Sequence, residues 1–477
     1  MFKNNYQNIS LFLIVTSGVI LRIYNINFDD LWYDEIISFW VANPEHSTLE
    51  SFKIHDNIEI TTPTFNFILK FVFELFGYDV NLGRYLVGIF SILTILTTYY
   101  LSKILIGNFF LLPTFLVSFN IFLISYAQQL RVYSVLIFFA SLSLIFFLKL
   151  LNEKIKKIDV IYFLITLLIL ISLHLFSLFI VGSYILYLLL VYVKKKKTYF
   201  YLNLILSIIS IVAIAYYVPY ILNFSDYLNS NLEVNYFFHE KTSLSFYTNF
   251  YFSKFFGSRL IGAIFLLSLI ILIFKNKKLF LKLDKHLVIL FVIILSYSIP
   301  LIFGYIFNPI LLSRYVSYLV IFIVLLISSL IFKISNKNKR NYFIIFLILI
   351  TFGNHFTEQS FKQFYNSRVP HNPEYTKAIK YIDKSNIKNY SLKIEKMKNN
   401  EASINAINNY IKHIGKKKNI ALVFIEIEQS VKMPMWIICP MDINEKHCPL
   451  PKKIENYTVL EENSFNSINL KLVQNNE

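Results

Sequence analysis

Residues Ile26–Trp40 read INFDDLWYDEIISFW and place four carboxylates, Asp29, Asp30, Asp34 and Glu35, directly after an apolar run over 8–26. A bilayer core of about 30 Å takes about 20 apolar residues in a helix, so that run is long enough to cross. Acids at the exit need either a structural partner or a chemical use. Read as a helix from about Leu31, the stretch sets Trp32, Tyr33, Ile36, Ile37, Phe39 and Trp40 on one broad face and Asp34, Glu35 and Ser38 on the other. Such a helix lies in the membrane interface, with its two adjacent carboxylates toward a polar cavity. Asp29 and Asp30 suit a plainer purpose, as acids at the positive end of a helix dipole. Asp34 and Glu35 suit that purpose less and are the candidates for a general base and its neighbour.

The whole chain has the composition this exit implies. Of 477 residues, 56% are hydrophobic and 16% charged, and the mean hydropathy of +0.54 excludes an ordinary soluble globule. A net charge of +17 would point to nucleic acid in a soluble chain. Here no basic–aromatic motif accompanies it, and nucleic acid is set aside as a partner in favour of the lipid bilayer. Apolar runs near 8–26, 83–106, 108–126, 132–151, 159–173, 175–193, 199–222, 259–274, 286–306, 310–332 and 341–356 predict an all-α polytopic membrane protein of about eleven transmembrane helices. With the N-terminus inside, the basic breaks NEKIKK (152–157), KKKK (194–197), KNKKLFLKLDK (275–285) and KISNKNKR (333–340) all fall on the cytoplasmic side. The outer side receives the loop 27–82, the turn SYAQQLR (125–131), the loop 223–258, the turn at Asn308–Pro309 and everything after His355. The expectation is a multi-pass protein of the cell (inner) membrane, its first helix retained, its N-terminus cytoplasmic and its C-terminal domain extracytoplasmic.

Two domains are expected, a membrane domain over 1–356 and a small soluble α/β domain over 357–477, where long apolar runs stop and Lys, Asn and Glu rise. Within the tail, 375–383 and 402–414 have helical periodicity, and 420–428, 435–439 and 467–474 read as strands. Its two cysteines, Cys439 and Cys448, lie on the side where oxidation is allowed and are expected to form a disulfide. Two free thiols are the alternative, and a zinc pair with His447 has poor ligand spacing.

Arginine usage carries the next signal. The chain has 39 Lys and seven Arg, and five of the seven (Arg22, Arg84, Arg131, Arg259, Arg314) sit near predicted outer helix ends. Either residue anchors at an interface, but only the planar guanidinium grips phosphate or carboxylate with two parallel bonds. Arg84, Arg131, Arg259 and Arg314 are therefore candidate anion ligands. In the first loop, Thr62, Pro63 and Gly77 bound a second interfacial helix with a polar stripe of Asn66, Lys70 and Glu74, of which Lys70 and Glu74 read as solvated. His55, Asp56 and Glu59 precede it in a segment read as irregular, able to bind a metal or acceptor hydroxyls. Tyr126, Gln128 and Gln129 in the outer turn and His174 at the end of the short span 159–173 complete the candidate substrate contacts, with ordinary packing the plainer reading for His174.

The stretches LRIYNINFDDLWYDEIISFW (21–40), TTPTFNFILKFVFELFG (61–77), GRYLVGIFSILT (83–94), SYAQQLRVYS (125–134), HLFSL (174–178) and RYVSYLV (314–320) together resemble the GT-C membrane glycosyltransferases. More narrowly, they are similar to the branch that holds the dolichyl-phosphate-mannose protein mannosyltransferases and the lipid A aminoarabinose transferase. The resemblance implies a GT-C fold and an enzyme that moves a sugar from a polyprenyl-phosphate carrier to a glycolipid, protein or polysaccharide acceptor at the outer face, with inversion. It implies a base at Asp34 with Glu35 beside it, and carrier-phosphate contacts at Arg131 and Arg314. The chain departs from the family's pattern at Thr62–Pro63–Thr64, where relatives often have two prolines and a leucine, and at Gln129, often a glutamate. The second departure removes a carboxylate, so no metal ligand is assigned and a divalent metal stays open as a cofactor. Two other readings stand beside this one: a multi-pass transporter or lipid flippase, and a polymerase or ligase acting on lipid-linked oligosaccharides. Transporters keep ionisable groups near the midplane and often show internal repeats, whereas here these groups crowd the helix ends and no repeat is found.

Overall fold

The computed structural model describes residues 2–59, 62–107, 111–151, 156–195, 198–230, 251–306, 310–356, 371–394, 400–426, 434–441 and 457–475. The helices in chain order are α1 (Phe2–Ile23), α2 (Tyr33–Val41), α3 (Thr48–Ile58), α4 (Thr64–Phe76), α5 (Val80–Ile106), α6 (Leu112–Ser118), α7 (Ile121–Ala127), α8 (Tyr133–Leu150), α9 (Lys157–Leu173) and α10 (Leu178–Lys195). They continue as α11 (Thr198–Ser230), α12 (Tyr251–Phe256), α13 (Arg259–Lys275), α14 (Lys277–Leu281), α15 (His286–Ile306), α16 (Leu319–Phe332), α17 (Lys337–Gly353), α18 (Tyr375–Lys384) and α19 (Asn400–Lys418). The strands are β1 (Asn389–Leu392), β2 (Val423–Phe424), β3 (Met435–Pro440), β4 (Tyr457–Phe465) and β5 (Ile468–Asn475).

The chain divides into two compact units. The bundle unit takes Met1–Tyr24, Ile60–Thr62 and Tyr85–Ser367, and the mixed unit takes Asn25–Glu59, Pro63–Arg84 and Arg368–Glu477. By this division the first loop groups with the tail, whereas the expected cut fell after residue 356. Tail groups supply its polar partners: the Tyr33 hydroxyl lies 2.7 Å from Ser403 Oγ, and the Leu31 amide donates to the Tyr410 hydroxyl at 3.0 Å.

In the bundle unit, Tyr6–Ile23, Val80–Ile106, Tyr133–Leu150 and His286–Ile306 are long and apolar enough to cross a membrane, with shorter apolar helices at Leu175–Val191, Leu202–Val218 and Leu319–Phe332. The protein is a multi-pass membrane protein. The centre of the bundle is α16, buried on all sides from Leu319 to Ile331. A helix apolar all round has no face to give to water, and α16 packs against α6, α13, α15 and α17.

Two expected spans are altered. The run 108–126 is broken into α6 and α7 at Asn120, whose carboxamide oxygen accepts from the Leu123 amide at 2.9 Å and whose nitrogen donates to the Phe255 carbonyl at 2.8 Å. An N-cap with an outside partner starts a new helix there and ends the old one. The carbonyls that the break orphans meet Arg22, fully buried, which donates to Val117 and Ser118 at 3.0 and 2.9 Å, to Gly18 at 3.0 Å and to Ser91 Oγ at 2.8 Å. The tenth run begins as a helix at Leu319 and not at 310, with turns over 313–318 before it.

In the mixed unit the first loop holds three helices. The segment read as irregular is α3, started by the Ser47–Glu50 capping box. The helix α4 follows Pro63 and ends at Gly77, whose φ of +104° suits glycine. Lys70 is not solvated: it is buried, and its Nζ donates to the carbonyls of Asn43 and His46 at 2.9 and 2.6 Å. The tail is a five-stranded mixed sheet of order β2-β1-β3-β5-β4, parallel over the first three strands and antiparallel over the last three. Every residue of β3 is buried, as a central strand requires. The edge strand β4, with Glu461, Glu462 and Asn463, lacks the apolar pattern of a buried strand and escapes a hydrophobicity reading. Of the expected strand 420–428, Val423–Phe424 is formed, and 427–428 lie outside the described residues. Cys439 is disulfide-bonded, and Cys448 lies outside the described residues.

Arg22→Met is expected to lower stability by about 3 kcal/mol, since three buried carbonyls lose a charged donor. Equilibrium SDS titration followed by circular dichroism measures this, with Arg22→Lys recovering only part of the loss because an ammonium cannot span the four acceptors.

Candidate active site

In the mixed unit the acidic stretch is folded around Arg84, at the start of α5. The guanidinium is buried, and Nη1 donates to the carbonyls of Ile26 and Asp29 at 2.9 and 2.7 Å while Nη2 points to the Asp30 carbonyl at 3.4 Å. Nη2 also lies 3.5 Å from Glu35 Oε2, and the Glu35 carboxylate is wholly buried. The same oxygen accepts from the Trp32 amide at 3.3 Å, an orphan donor at the start of α2. Glu35 and Arg84 thus neutralise each other and hold the loop. Asp34, in the first turn of α2, is the partly exposed member of the acid pair.

In the bundle unit an open cleft of about 560 Å³ is lined by residues that include Tyr126, Gln129, Lys254, Gly257, Ser258, Arg259 and Ser313. Arg259 is the first residue of α13, and the Ser258 hydroxyl caps that helix by accepting from the Ile261 amide at 3.1 Å. Two cationic side chains beside the positive end of a seventeen-residue helix favour an anion. The left-handed backbone at Gly257, φ +85°, lets the chain turn into α13 where a Cβ would clash with Asn354 Nδ2. Arg314 follows Ser313 and lies over the Tyr315 ring at 5.6 Å. His174, in the turn between α9 and α10, has its ring 5.0 Å from Tyr315. Its Nδ1 accepts from the Phe176 amide at 3.1 Å, which puts the proton on Nε2. Burial first, then the charges of Arg131 and Arg314, lower its pKa to about 3.

No protein-family model matches the chain, and no curated protein sequence does. Solved structures do match. ArnT of Cupriavidus metallidurans bound to undecaprenyl phosphate aligns at a TM-score of 0.50 and 10% identity over 96% of this chain and 97% of that one. The apo state of the same protein aligns at 0.54 and 10% identity, over 99% and 98%. This chain has the GT-C glycosyltransferase fold.

Within the GT-C frame the residues singled out from sequence differ in their surroundings. Tyr126, Gln129 and Arg259 line the cleft, and Arg131, Arg314 and His174 form one electrostatic cluster. Arg84, Gln128 and Glu35 are consumed by structure: Gln128 is buried, and its Nε2 donates to the carbonyls of Tyr24 and Arg22 at 2.9 and 3.3 Å, satisfying the end of α1. Arg84 and Gln128, expected as a phosphate ligand and a substrate contact, thus both direct donors to backbone carbonyls. His55 is buried on α3 with Nδ1 3.0 Å from Asn66 Nδ2, Asp56 is exposed one position on, and Glu59 ends the helix. Among the described residues no group of three or more His, Cys, Asp or Glu is placed to hold a metal. Sequence reasoning passed over Lys254, Ser258 and Ser313, although the Ser before an apolar helical run beginning at Arg259 is a readable cap.

His174 makes the bundle acid-sensitive. Its unfolded pKa is near the ordinary histidine value of 6.5 and its folded value is about 3, so between these the unfolded chain binds the proton and the folded chain does not. Stability is full above that window and falls as pH drops through it, by roughly 2 kcal/mol at pH 5. His174→Asn, which keeps an acceptor for the Phe176 amide, is expected to flatten the difference between denaturation midpoints at pH 7 and pH 5.

Proposed function

We propose that this protein is an integral membrane glycosyltransferase that transfers a sugar from a polyprenyl-phosphate carrier to an acceptor hydroxyl or amine at the outer face of the membrane, with inversion. The observation that carries the reading is the cationic cleft of the bundle unit, where Lys254, Arg259 and the capped start of α13 meet Tyr126 and Gln129. A polyprenyl-phosphate sugar is a phosphodiester anion with an apolar tail, and a basic cleft in an apolar bundle suits both ends. The GT-C fold and the undecaprenyl phosphate bound to ArnT support the same donor class.

Asp34 is the proposed base. It takes the proton of the acceptor as the acceptor oxygen or nitrogen attacks the anomeric carbon, and the bond from that carbon to the phosphate oxygen breaks. The electron pair leaves with the phosphate, whose growing charge Arg131, Arg314 and Arg259 stabilise. Glu35, paired with Arg84, serves by holding the start of α2.

Membrane vesicles carrying the wild type or Asp34→Asn, supplied with a panel of radiolabelled polyprenyl-phosphate sugars, test this. Transfer from one donor into glycolipid, protein or polysaccharide is expected for the wild type, with a loss of about 10²- to 10⁴-fold in the variant. Arg259→Gln and Arg314→Gln are expected to lower kcat/KM for the donor at least tenfold, with kcat reduced. Full activity of Asp34→Asn would falsify the base assignment, and no transfer from any donor would favour a transporter.

A further inference from the structure

Asp30 caps a helix far from its own segment. The N-cap residue of α18, Glu374, makes no side-chain cap bond, and the orphan amide of Thr376 in the first turn donates to Asp30 Oδ2 at 2.7 Å. The Thr376 hydroxyl donates to the other oxygen, Oδ1, at 2.6 Å, and the Tyr410 hydroxyl of α19 donates to Oδ1 at 3.3 Å. The Asp30 carbonyl accepts from Asn372 Nδ2 at 2.8 Å, the Leu31 amide donates to the Tyr410 oxygen at 3.0 Å, and the Tyr33 hydroxyl lies 2.7 Å from Ser403 Oγ. Tail groups thus grip residues 30, 31 and 33, the positions that lead into Asp34, through bonds made within one compact unit. Burial, then the charge of Asp30, holds the Tyr410 hydroxyl well above its ordinary pKa, so it stays a donor.

We propose that Thr376 and Tyr410 are positioning residues of the transfer reaction, fixing the entry to α2 so that the Asp34 carboxylate is presented in one orientation to the acceptor. This rests on Asp34 as the base. The physical reason is geometric. Asp34 is one residue beyond Tyr33, so its direction is set by the backbone of 30–33, and a misplacement of about 1 Å costs on the order of 10²-fold in a proton-transfer step. A carboxylate bonded at both oxygens to a helix start cannot rotate, and the amide between Asp30 and the helix α2 is held by a buried phenol. The tail domain is then part of the catalytic apparatus, and an acceptor-binding role is not needed to explain its presence.

The test uses the full-length protein in membrane vesicles, with the polyprenyl-phosphate sugar that gives transfer in the panel assay and with Thr376→Val, Thr376→Ser, Tyr410→Phe and Asp34→Asn/Thr376→Val. Thr376→Val and Tyr410→Phe are expected to lower kcat 10- to 100-fold with the donor KM within twofold, Thr376→Ser to restore it, and the double variant to be no slower than Asp34→Asn alone. Hydrogen exchange by mass spectrometry gives a second reading that does not need activity. Peptides covering 30–41 are expected to exchange at least tenfold faster in Thr376→Val while those covering α4 stay protected. Wild-type kcat in Thr376→Val and Tyr410→Phe, or unchanged protection of 30–41, overturns the proposal, and so does equal loss of protection across α4, which would mean general unfolding. If Asp34→Asn is inactive and Thr376→Val is not impaired, the positioning role fails and the base assignment stands. If Asp34→Asn is fully active, the base assignment itself fails.

Discussion

A chain leaving an apolar helix has carbonyls with no intrahelical partner, and near a bilayer it has little water to offer them. Much of what surrounds residues 21–31 answers that constraint. Gln128 donates to the carbonyls of Arg22 and Tyr24, and Arg84 to those of Ile26 and Asp29. Between the two sets Asn25 takes a left-handed φ of 54°, a turn its short polar side chain tolerates. Arg22 does the converse, spending its own donors on the last carbonyls of α6. Long polar side chains that look like ligands in a sequence are here used up on peptide groups.

The division of labour between Asp34 and Glu35 follows from the same constraint. A buried guanidinium facing only carbonyls would remain an uncompensated charge in a low-dielectric place, at a cost of several kcal/mol. Glu35 removes that cost and is itself removed from solvent. One acid of the pair is therefore buried against Arg84, and the other is partly exposed. The arginines divide in a parallel way: Arg22 and Arg84 face carbonyls, whereas Arg131 and Arg314 act on the buried imidazole of His174 and Arg259 edges the cleft.

Hydrophobic length made the membrane bundle readable in advance, because crossing helices announce themselves by composition alone. The break at Asn120 did not announce itself, since a single Asn in an apolar run is ambiguous until its partner, the Phe255 carbonyl, is known. Amphipathic spacing placed α2 and α4 within a residue or two, but it assigned their polar groups to water or substrate. Lys70, Gln128 and Arg84 show the reason: periodicity tells which residues share a face and says nothing about what that face meets. The Asp30 to Thr376 contact lay furthest from view, because no local pattern links an acid in the first loop to a helix start 346 residues later.

That separation has a consequence for synthesis. A ribosome adds about 5 to 20 residues per second, so roughly 20 to 70 s pass between the emergence of Asp30 and that of Thr376. Throughout that interval the loop bearing Asp34 lacks the groups that clamp it, and Tyr410 arrives later still. A nascent or truncated chain can already carry the cationic cleft of the bundle without a finished carboxylate loop. Completion of the last quarter of the polypeptide is thus the step that supplies the groups bonded to residues 30, 31 and 33.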